Sequence, residues 1–259
     1  MVSMDYSGKN YIVTGGAGGI GGAVVDGIVS GGGHAVIVDI NEAGARKYQE
    51  KYGEDKVTVA AVDLSNPAEI REKFGALVQK FGQIHGLICV AGIVSTSKFE
   101  DVTQAEWDRV VAINLTGVFA SIQSVFTNMK EHSYGRIVVV SSVAAQVGGG
   151  LLGTSVYAAS KGGVNSLIKA VAKEGGPYNV ACCGVCPAYT KTAITAGMDQ
   201  DRHNRILSQI PLGRPADPQE IANLILFYAS DLADVYKRQE VLWIPVSKWV
   251  HSFFESLRD

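Results

Sequence analysis

A doubly wound α/β architecture built on a parallel sheet is the fold class this sequence predicts, and three observations carry the prediction. Six apolar runs of strand length, YIVTG, HAVIVD, VTVAAVD, GLICVAG, RIVVVSS and NVACCGVC, alternate with longer amphipathic segments, as repeated strand-helix crossovers require. Within each run the apolar residues are nearly continuous, the pattern of strands covered by helices on both faces. At 259 residues, 47% hydrophobic and only 19% charged, the chain can bury one large core and is a poor candidate for disorder. No internal repeat or low-complexity linker breaks it, so residues 1–233 read as a single domain.

Taken in order, the first strand runs into Thr14-Gly15-Gly16-Ala17-Gly18-Gly19-Ile20-Gly21 and then the apolar helix AVVDGIV; the second strand ends at Asp39 and the third at Asp63. Asn66-Pro67-Ala68-Glu69 offers a capping side chain, a proline at the first helical position and a glutamate at the third, as does Asp217-Pro218-Gln219-Glu220; Thr103 and Glu106 make a similar box. The fifth strand ends at Ser141 and Ser142, and a helix opens near Ser155 and ends near Lys173. The sixth strand, NVACCGVC, is closed by Pro187. Its Cys183-Gly-Val-Cys186 spacing matches redox and zinc motifs, but no second cysteine or histidine pair lies nearby, so Cys89, Cys182, Cys183 and Cys186 read as packing and no metal is expected.

A net charge of −2 without a lysine- or arginine-rich run argues against nucleic acid as a partner. The N-terminal MVSMDYSGKNYIVTGG carries no basic-then-apolar signal, and no run of about 18 uninterrupted apolar residues is present. A cytoplasmic protein with no membrane partner is the expectation.

The glycine-rich run directly follows a strand and opens a helix. Glycines there permit a tight turn and let backbone N–H groups approach a pyrophosphate, whose charge the helix N-terminus favours. Gly15, Gly19, Ile20 and Gly21 are therefore candidate dinucleotide ligands. Asp39 lies 24 residues beyond Gly15, near the spacing of an acid that binds the adenosine ribose. Its carboxylate repels a 2′-phosphate, and Gly16, Ala17, Ile40 and Asn41 supply no cation to neutralise one, so NAD is the expected cofactor. Asp63 is similarly placed for an adenine edge.

The stretch SVYAASK sets Tyr157 and Lys161 four residues apart, on one face of a helix. A phenol of pKa about 10 is a poor base at neutral pH. An ammonium about 4 Å away, at an effective dielectric near 20, contributes up to about 4 kcal/mol, roughly three pKa units before screening and desolvation. Tyr52 and Lys56 share the spacing, but in a charged, glycine-containing turn with no strand-end hydroxyl before it. Tyr157 follows Ser142, at the carboxyl end of a strand where ligands of such sheets bind.

With these residues in place the chain resembles the short-chain dehydrogenase/reductase family over roughly residues 5–233. The resemblance runs through TGxxxGIG at Thr14 to Gly21, Asp39, VAIN at Val111 to Asn114, VVVSS ending at Ser142, YAASK at Tyr157 to Lys161, CPAYTKT at Cys186 to Thr192, and PLGRPADPQEIA at Pro211 to Ala222. It implies a Rossmann-type single domain and an oxidoreductase of secondary alcohols and ketones, similar to 3-oxoacyl-[acyl-carrier-protein] reductases and sugar-alcohol dehydrogenases. Tyr157 is implied as acid in reduction and base in oxidation, Ser142 as the group that polarises the carbonyl, and Lys161 as the partner that lowers the tyrosine and holds the nicotinamide ribose. Asn114 is implied to fix a water between Lys161 and solvent, and Thr192 to contact the carboxamide. Ala91, Gly92, Pro187 and Thr190 join the cofactor-binding set, and a homodimer or homotetramer is the implied assembly.

The chain departs from the family pattern in four places. Cys89-Val90-Ala91-Gly92 stands where Asn-Asn-Ala-Gly is usual, which removes a side-chain staple from the sheet. Ala188 replaces the glycine usual after Pro187. The 15-residue interval from Ser142 to Tyr157 is longer than usual, the excess falling in GGGLLG. Residues 234–259 read as an atypical, foreign-looking tail, so that the final edge strand is missing unless VLWIPV replaces it. Its Trp249, Val250, Phe253, Phe254 and Leu257 would form one apolar helical stripe. A catalytically silent dinucleotide binder or a folding-compromised chimera stays open beside the enzyme reading.

Overall fold

All six apolar runs become parallel strands in the computed structural model, which describes residues 4–149, 153–236 and 242–243. They are β1 Asn10–Thr14, β2 His34–Asp39, β3 Val57–Ala61, β4 Gly86–Cys89, β5 Gly135–Val140 and β6 Val180–Cys186. Across the sheet they stand in the order β3-β2-β1-β4-β5-β6. The order therefore reverses between β1 and β4, and a crevice opens there beyond the carboxyl ends. In this register Val13 of β1 is level with Ile37 of β2 and Ile88 of β4.

Successive residues of a strand face opposite layers, and the core divides accordingly. Val13, Ile37, Ile88 and Val138 pack with α1 (Gly19–Ser30) and α9 (Pro218–Ala229), through Val24, Val25, Ile28, Ile221 and Ile225. Ile12, Val36, Leu87 and Ile137 face α3 (Pro67–Phe81), α5 (Gly117–Glu131) and α7 (Ser155–Gly175), through Phe74, Val118, Val125, Val164 and Ile168. Burial on both faces is why these strands carry no polar alternation. The four cysteines, all free and buried, belong to these strands.

The helix starts follow the sequence with two adjustments. Asn66 accepts from the backbone N–H groups of Ala68 and Glu69, but the Glu69 carboxylate reaches back to Asp63 N. Thr103 accepts from Glu106 N at the start of α4 (Gln104–Val111), while the Glu106 carboxylate takes the Ser97 hydroxyl. Asp217 and Glu220 form the full reciprocal box. Between α4 and α5 the helix widens into a π-turn over Ala112–Thr116, a local irregularity that often marks a functional position. Together these pieces make a 28-residue helix, Gln104–Glu131, long and apolar enough by composition to cross a membrane. Its Val118, Ile122, Val125 and Met129 are spent on the core.

The edge strand is replaced rather than missing. Leu242–Trp243 forms a two-residue β7 parallel to β6, with Leu242 opposite Val185 and Trp243 opposite Cys186. The stripe from Trp249 to Leu257 lies outside the described residues, as do Gly150, Leu151 and Leu152 of the long loop.

Candidate active site

The crevice at the strand reversal is a cleft of about 660 Å³, and the glycine loop forms one wall. Gly15 sits at φ +71°, and a Cβ there would lie 2.7 Å from Ala91 N; one on Gly21 would lie 2.1 Å from the Gly15 carbonyl oxygen. Only glycine fits either position. Gly19, at φ +56°, faces Thr192, so the loop, the end of β4 and the segment after β6 converge. Ile20 in the first turn of α1 lines the same wall.

Asp39 closes one end of the cleft. Its two carboxylate oxygens accept from Ala17 N at 3.0 Å and Asn41 N at 2.9 Å, which ties β2 to the glycine loop. Asp63 lies at the same end, accepting from Ser65 N at 2.8 Å. At the end of β4, Val90 N and Ala91 N both donate to the Thr14 carbonyl, at 3.2 and 3.1 Å. These backbone bonds stitch β4 to β1 where Cys89 and Val90 offer no amide side chain. Ala91 and Gly92 line the cleft beside them.

The candidate reacting side chains converge on the cleft. Ser142, following β5, accepts from Ala144 N at 3.1 Å, and its side chain stands near the Tyr157 phenol in the first turn of α7, near enough to favour the ionised phenol. The long interval between them does not separate the two. Gly153 makes room for the phenol: a Cβ there would lie 2.2 Å from Tyr157 Cδ1. One helical turn on, Lys161 is 3% exposed; its Nζ donates to the Val140 carbonyl at 2.7 Å and lies 5.9 Å from the Tyr157 ring centroid. A Cβ on Gly92 would lie 3.5 Å from that Nζ and 3.2 Å from Asn114 Oδ1. Asn114, fully buried in the π-turn, thus shares the Gly92 flank with the lysine.

One detail differs from the sequence argument. Burial holds the Tyr157 phenol above its ordinary value, opposed by the neighbouring Ser142 hydroxyl. Desolvation also depresses the Lys161 ammonium to about 8. With its Nζ turned to Val140, Lys161 does not offset the burial of the phenol in the cofactor-free chain. Asn114, in turn, commits its whole amide to protein: Nδ2 donates to Ile93 O at 2.9 Å and Ser160 Oγ at 3.2 Å, while Oδ1 accepts from Ile93 N at 2.9 Å. Its side chain fixes the Ile93 loop and bonds Ser160 on α7.

The segment after β6 lines the remaining wall. The Pro187 carbonyl accepts from Val143 N at 3.1 Å. The Thr195 hydroxyl donates to the Thr190 carbonyl at 3.0 Å and accepts from Thr192 N at 3.0 Å, which fixes the turn carrying Thr192. Thr190 is 5% exposed, lines the cleft, and among the described residues its hydroxyl has no partner. That unpartnered hydroxyl, the glycine cradle and the paired acids at the far end fit a nicotinamide dinucleotide. Arg109, on α4 one turn before Ile113, also lines the cleft; no motif in the sequence points to it, and only the fold brings it there.

Fold and cleft together place the chain among the doubly wound, dinucleotide-binding oxidoreductases. The family model for short chain dehydrogenases matches residues 9–203. An acetoacetyl-CoA reductase of Synechocystis sp. is 31% identical, over 93% of this chain and 97% of the relative. A trans-4-hydroxycyclohexanecarboxylate dehydrogenase of Sinomonas cyclohexanicum is 36% identical over 86% of each chain. A solved structure provisionally assigned as an NAD(P)-dependent gluconate 5-dehydrogenase of Beutenbergia cavernae, with NADP at low occupancy, is similar at TM-score 0.86 and 28% identity, over 93% of this chain and 96% of that one. The chain belongs to the short-chain dehydrogenase family.

Proposed function

We propose that this chain is an NAD(H)-dependent oxidoreductase that interconverts a secondary alcohol and a ketone, with Ser142, Tyr157, Lys161 and Asn114 as its working set. The observation that carries the reading is the convergence of the Ser142 and Tyr157 hydroxyl side chains on one cleft, with the buried Lys161 one helical turn beyond the tyrosine. The nicotinamide supplies or accepts the hydride when bound. In reduction the Ser142 hydroxyl donates to the substrate carbonyl oxygen, and the Tyr157 phenol hands its proton to that oxygen as the carbon takes the hydride. In oxidation the phenolate takes the proton back. Lys161 Nζ, its ammonium depressed by burial but still mostly protonated at neutral pH, restores the tyrosine proton, and Asn114 keeps the Ile93 loop packed beside it. Gly15, Gly19 and Ile20 would face the pyrophosphate with Gly21 packed behind Gly15, Asp39 and Asp63 would face the adenosine, and Ala91, Gly92, Pro187, Thr190 and Thr192 the nicotinamide half.

Asp39 supports NAD over NADP, because no cation stands at Gly16, Ala17, Ile40 or Asn41 to offset a 2′-phosphate. Steady-state kinetics with both cofactors checks this: kcat/KM for NADH should exceed that for NADPH by roughly tenfold or more. A reversed preference would refute it. The relatives reduce or oxidise a β-oxoacyl thioester and a ring alcohol by name, which supports a secondary carbon centre, of 3-oxoacyl or alcohol-dehydrogenase type. Tyr157→Phe is the direct test of the chemistry: turnover should fall roughly 10²- to 10⁴-fold while NADH affinity, read by fluorescence titration, stays within about twofold. Retained turnover would remove Tyr157 from the mechanism.

A further inference from the structure

We infer that the substrate of this site presents one polar oxygen and an otherwise apolar, uncharged body. The inference rests on the oxidoreductase reading above and deepens it.

The wall beyond Ser142 and Tyr157 is formed by Val94, Val143, Ala144, Gly153, Ala193 and Ile194. Its placement follows from the local geometry. Val143 and Ala144 directly follow Ser142, Gly153 lies against the face of the Tyr157 ring, and Ala193 and Ile194 follow Thr192. Thr154 N donates to the Ser95 carbonyl at 3.0 Å, which straps the Val94 loop to the start of α7.

Among the described residues, the Thr190 and Thr192 hydroxyls beside this wall fall to the nicotinamide half on the reading above, and the others are committed. Thr154 Oγ1 donates to the Ser95 carbonyl at 3.2 Å, and Ser95 Oγ lies 3.3 Å from Thr154 Oγ1. Thr195 Oγ1 is held by Thr190 and Thr192. Among the described residues the wall therefore offers a substrate the Ser142 and Tyr157 hydroxyls, enough for one carbonyl or alcohol oxygen. A further hydroxyl or a carboxylate would lose water and meet methyl and methylene groups. Among the described residues the charged side chains lining the cleft are Asp39 and Asp63 at the adenosine end, Lys161 beneath the tyrosine, and Arg109. Arg109 is the one cation among them free to receive an anionic substrate tail, so it supplies the competing outcome.

A matched ring series tests this: cyclohexanol, trans-4-hydroxycyclohexanecarboxylate and myo-inositol, oxidised with NAD by the full chain. Cyclohexanol should show a kcat/KM roughly 10- to 100-fold above either polar analogue, the discrimination an apolar pocket achieves against added polar groups. Ile194→Lys, at an exposed position, should shift the ratio of carboxylate to cyclohexanol at least about tenfold toward the carboxylate. Preference for myo-inositol overturns the inference. So does preference for the carboxylate, and its loss in Arg109→Ala would make Arg109 the anchor.

Binding is read separately from turnover, by the change in fluorescence of enzyme-bound NADH on adding each compound. If NADH binds and cyclohexanol perturbs it but nothing is turned over, the oxidoreductase reading fails while the apolar pocket stands. If myo-inositol or the carboxylate perturbs it more strongly, the apolar pocket fails whatever the turnover shows.

Discussion

The two ends of the sheet bury similar side chains and treat them differently. At the amino end, Asp231 receives the Lys9 ammonium, the Tyr134 hydroxyl at 2.7 Å and the Arg136 guanidinium at 3.4 Å. Arg136 is 3% exposed, yet it also donates to the Gly135 and Asn179 carbonyls and lies 4.5 Å from the Tyr134 ring centroid. At the carboxyl end, Lys161 is equally buried but meets a carbonyl, and among the described residues it faces no carboxylate. Nearby, the Tyr157 phenol is held above its ordinary value and the Thr190 hydroxyl has no partner. A buried group that lacks a partner raises the energy of the chain alone. The amino end pairs its buried charge with a carboxylate; the carboxyl end leaves groups that, on the oxidoreductase reading, a ligand would satisfy.

The largest expected effect comes from Lys161→Met. Turnover should fall roughly 10²- to 10⁴-fold, since the proton path to Tyr157 is lost. The cofactor-free protein should nevertheless become more stable at pH 7. The ammonium is depressed to about 8 when folded, against about 10.4 when unfolded. The unfolded chain therefore binds more protons between these values, and wild-type stability rises with pH across that window. Below pH about 8 the full cost of burying the charge is present. Removing it, less about 1 kcal/mol for the hydrogen bond to Val140, should gain about 2 kcal/mol. The gap between variant and wild type in denaturant melts should close as pH rises toward about 10.4. A destabilised variant at pH 7 would break the contrast between the two ends.

Gly21→Ala sharpens the contrast at the loop. A Cβ 2.1 Å from the Gly15 carbonyl forces the cradle apart, so NADH affinity should fall at least about tenfold and stability by about 1–3 kcal/mol. Gly75→Ala, in the middle of α3 with nothing within 4 Å of the added atom, should instead stabilise the protein by roughly 0.5–1 kcal/mol and leave NADH affinity unchanged. Titration of NADH and thermal melts on both variants decide whether the glycines at the cleft are there for the ligand or only for the turn.

The fold was legible because burial on two faces leaves a continuous apolar signature: YIVTG, HAVIVD and their successors are the strands, and Asn66 and Asp217 mark true helix starts. Much of the site's placement was legible for a related reason. A strand-end position is fixed once the strand is, so Asp39, Asp63 and Ser142 had to reach the cleft. What spacing did not carry was the use of each side chain. Asn114 spends its amide on Ile93, and Lys161 turns to Val140, because these outcomes depend on which backbone carbonyls the packed elements leave nearby. Cys89 and Val90 in place of amides did not unstitch the sheet, since Thr14 is reached by backbone N–H groups that any residue supplies. Arg109 comes to the cleft through the placement of the whole of α4, which no local motif encodes.

At the amino end, Asp231→Asn should lower stability by about 1–2 kcal/mol at neutral pH, a modest value because the carboxylate side chain is 58% exposed. Burial alone would raise this carboxyl, but the hydrogen bonds from Lys9 and Tyr134 more than offset it and leave it below 3.8. A depressed carboxyl contributes stability that is present above its unfolded value and lost as pH falls through the folded one. The difference between wild type and variant should therefore hold from neutral pH down to about 4 and shrink below it. Turnover at neutral pH should be unchanged within about twofold; a loss beyond that would mean the two ends of the sheet are coupled.

The smallest effect is expected from the other tyrosine and lysine four residues apart. Tyr52 is the last residue of helix α2 (Glu42–Tyr52), and Gly53 at φ +89° ends that helix before Lys56 is reached. Four residues mean a shared face only while the backbone between them is helical, so Tyr52 and Lys56 are not placed as Tyr157 and Lys161 are. The Tyr52 hydroxyl donates instead to Asp26 at 2.6 Å, which also holds Lys51 at 3.0 Å on the surface. Tyr52→Phe should cost about 0.5–1 kcal/mol in a thermal melt and leave kcat/KM within about twofold. A loss of turnover approaching that of Tyr157→Phe would show that spacing alone, without a strand-end serine and a continuous helix, carries the chemistry.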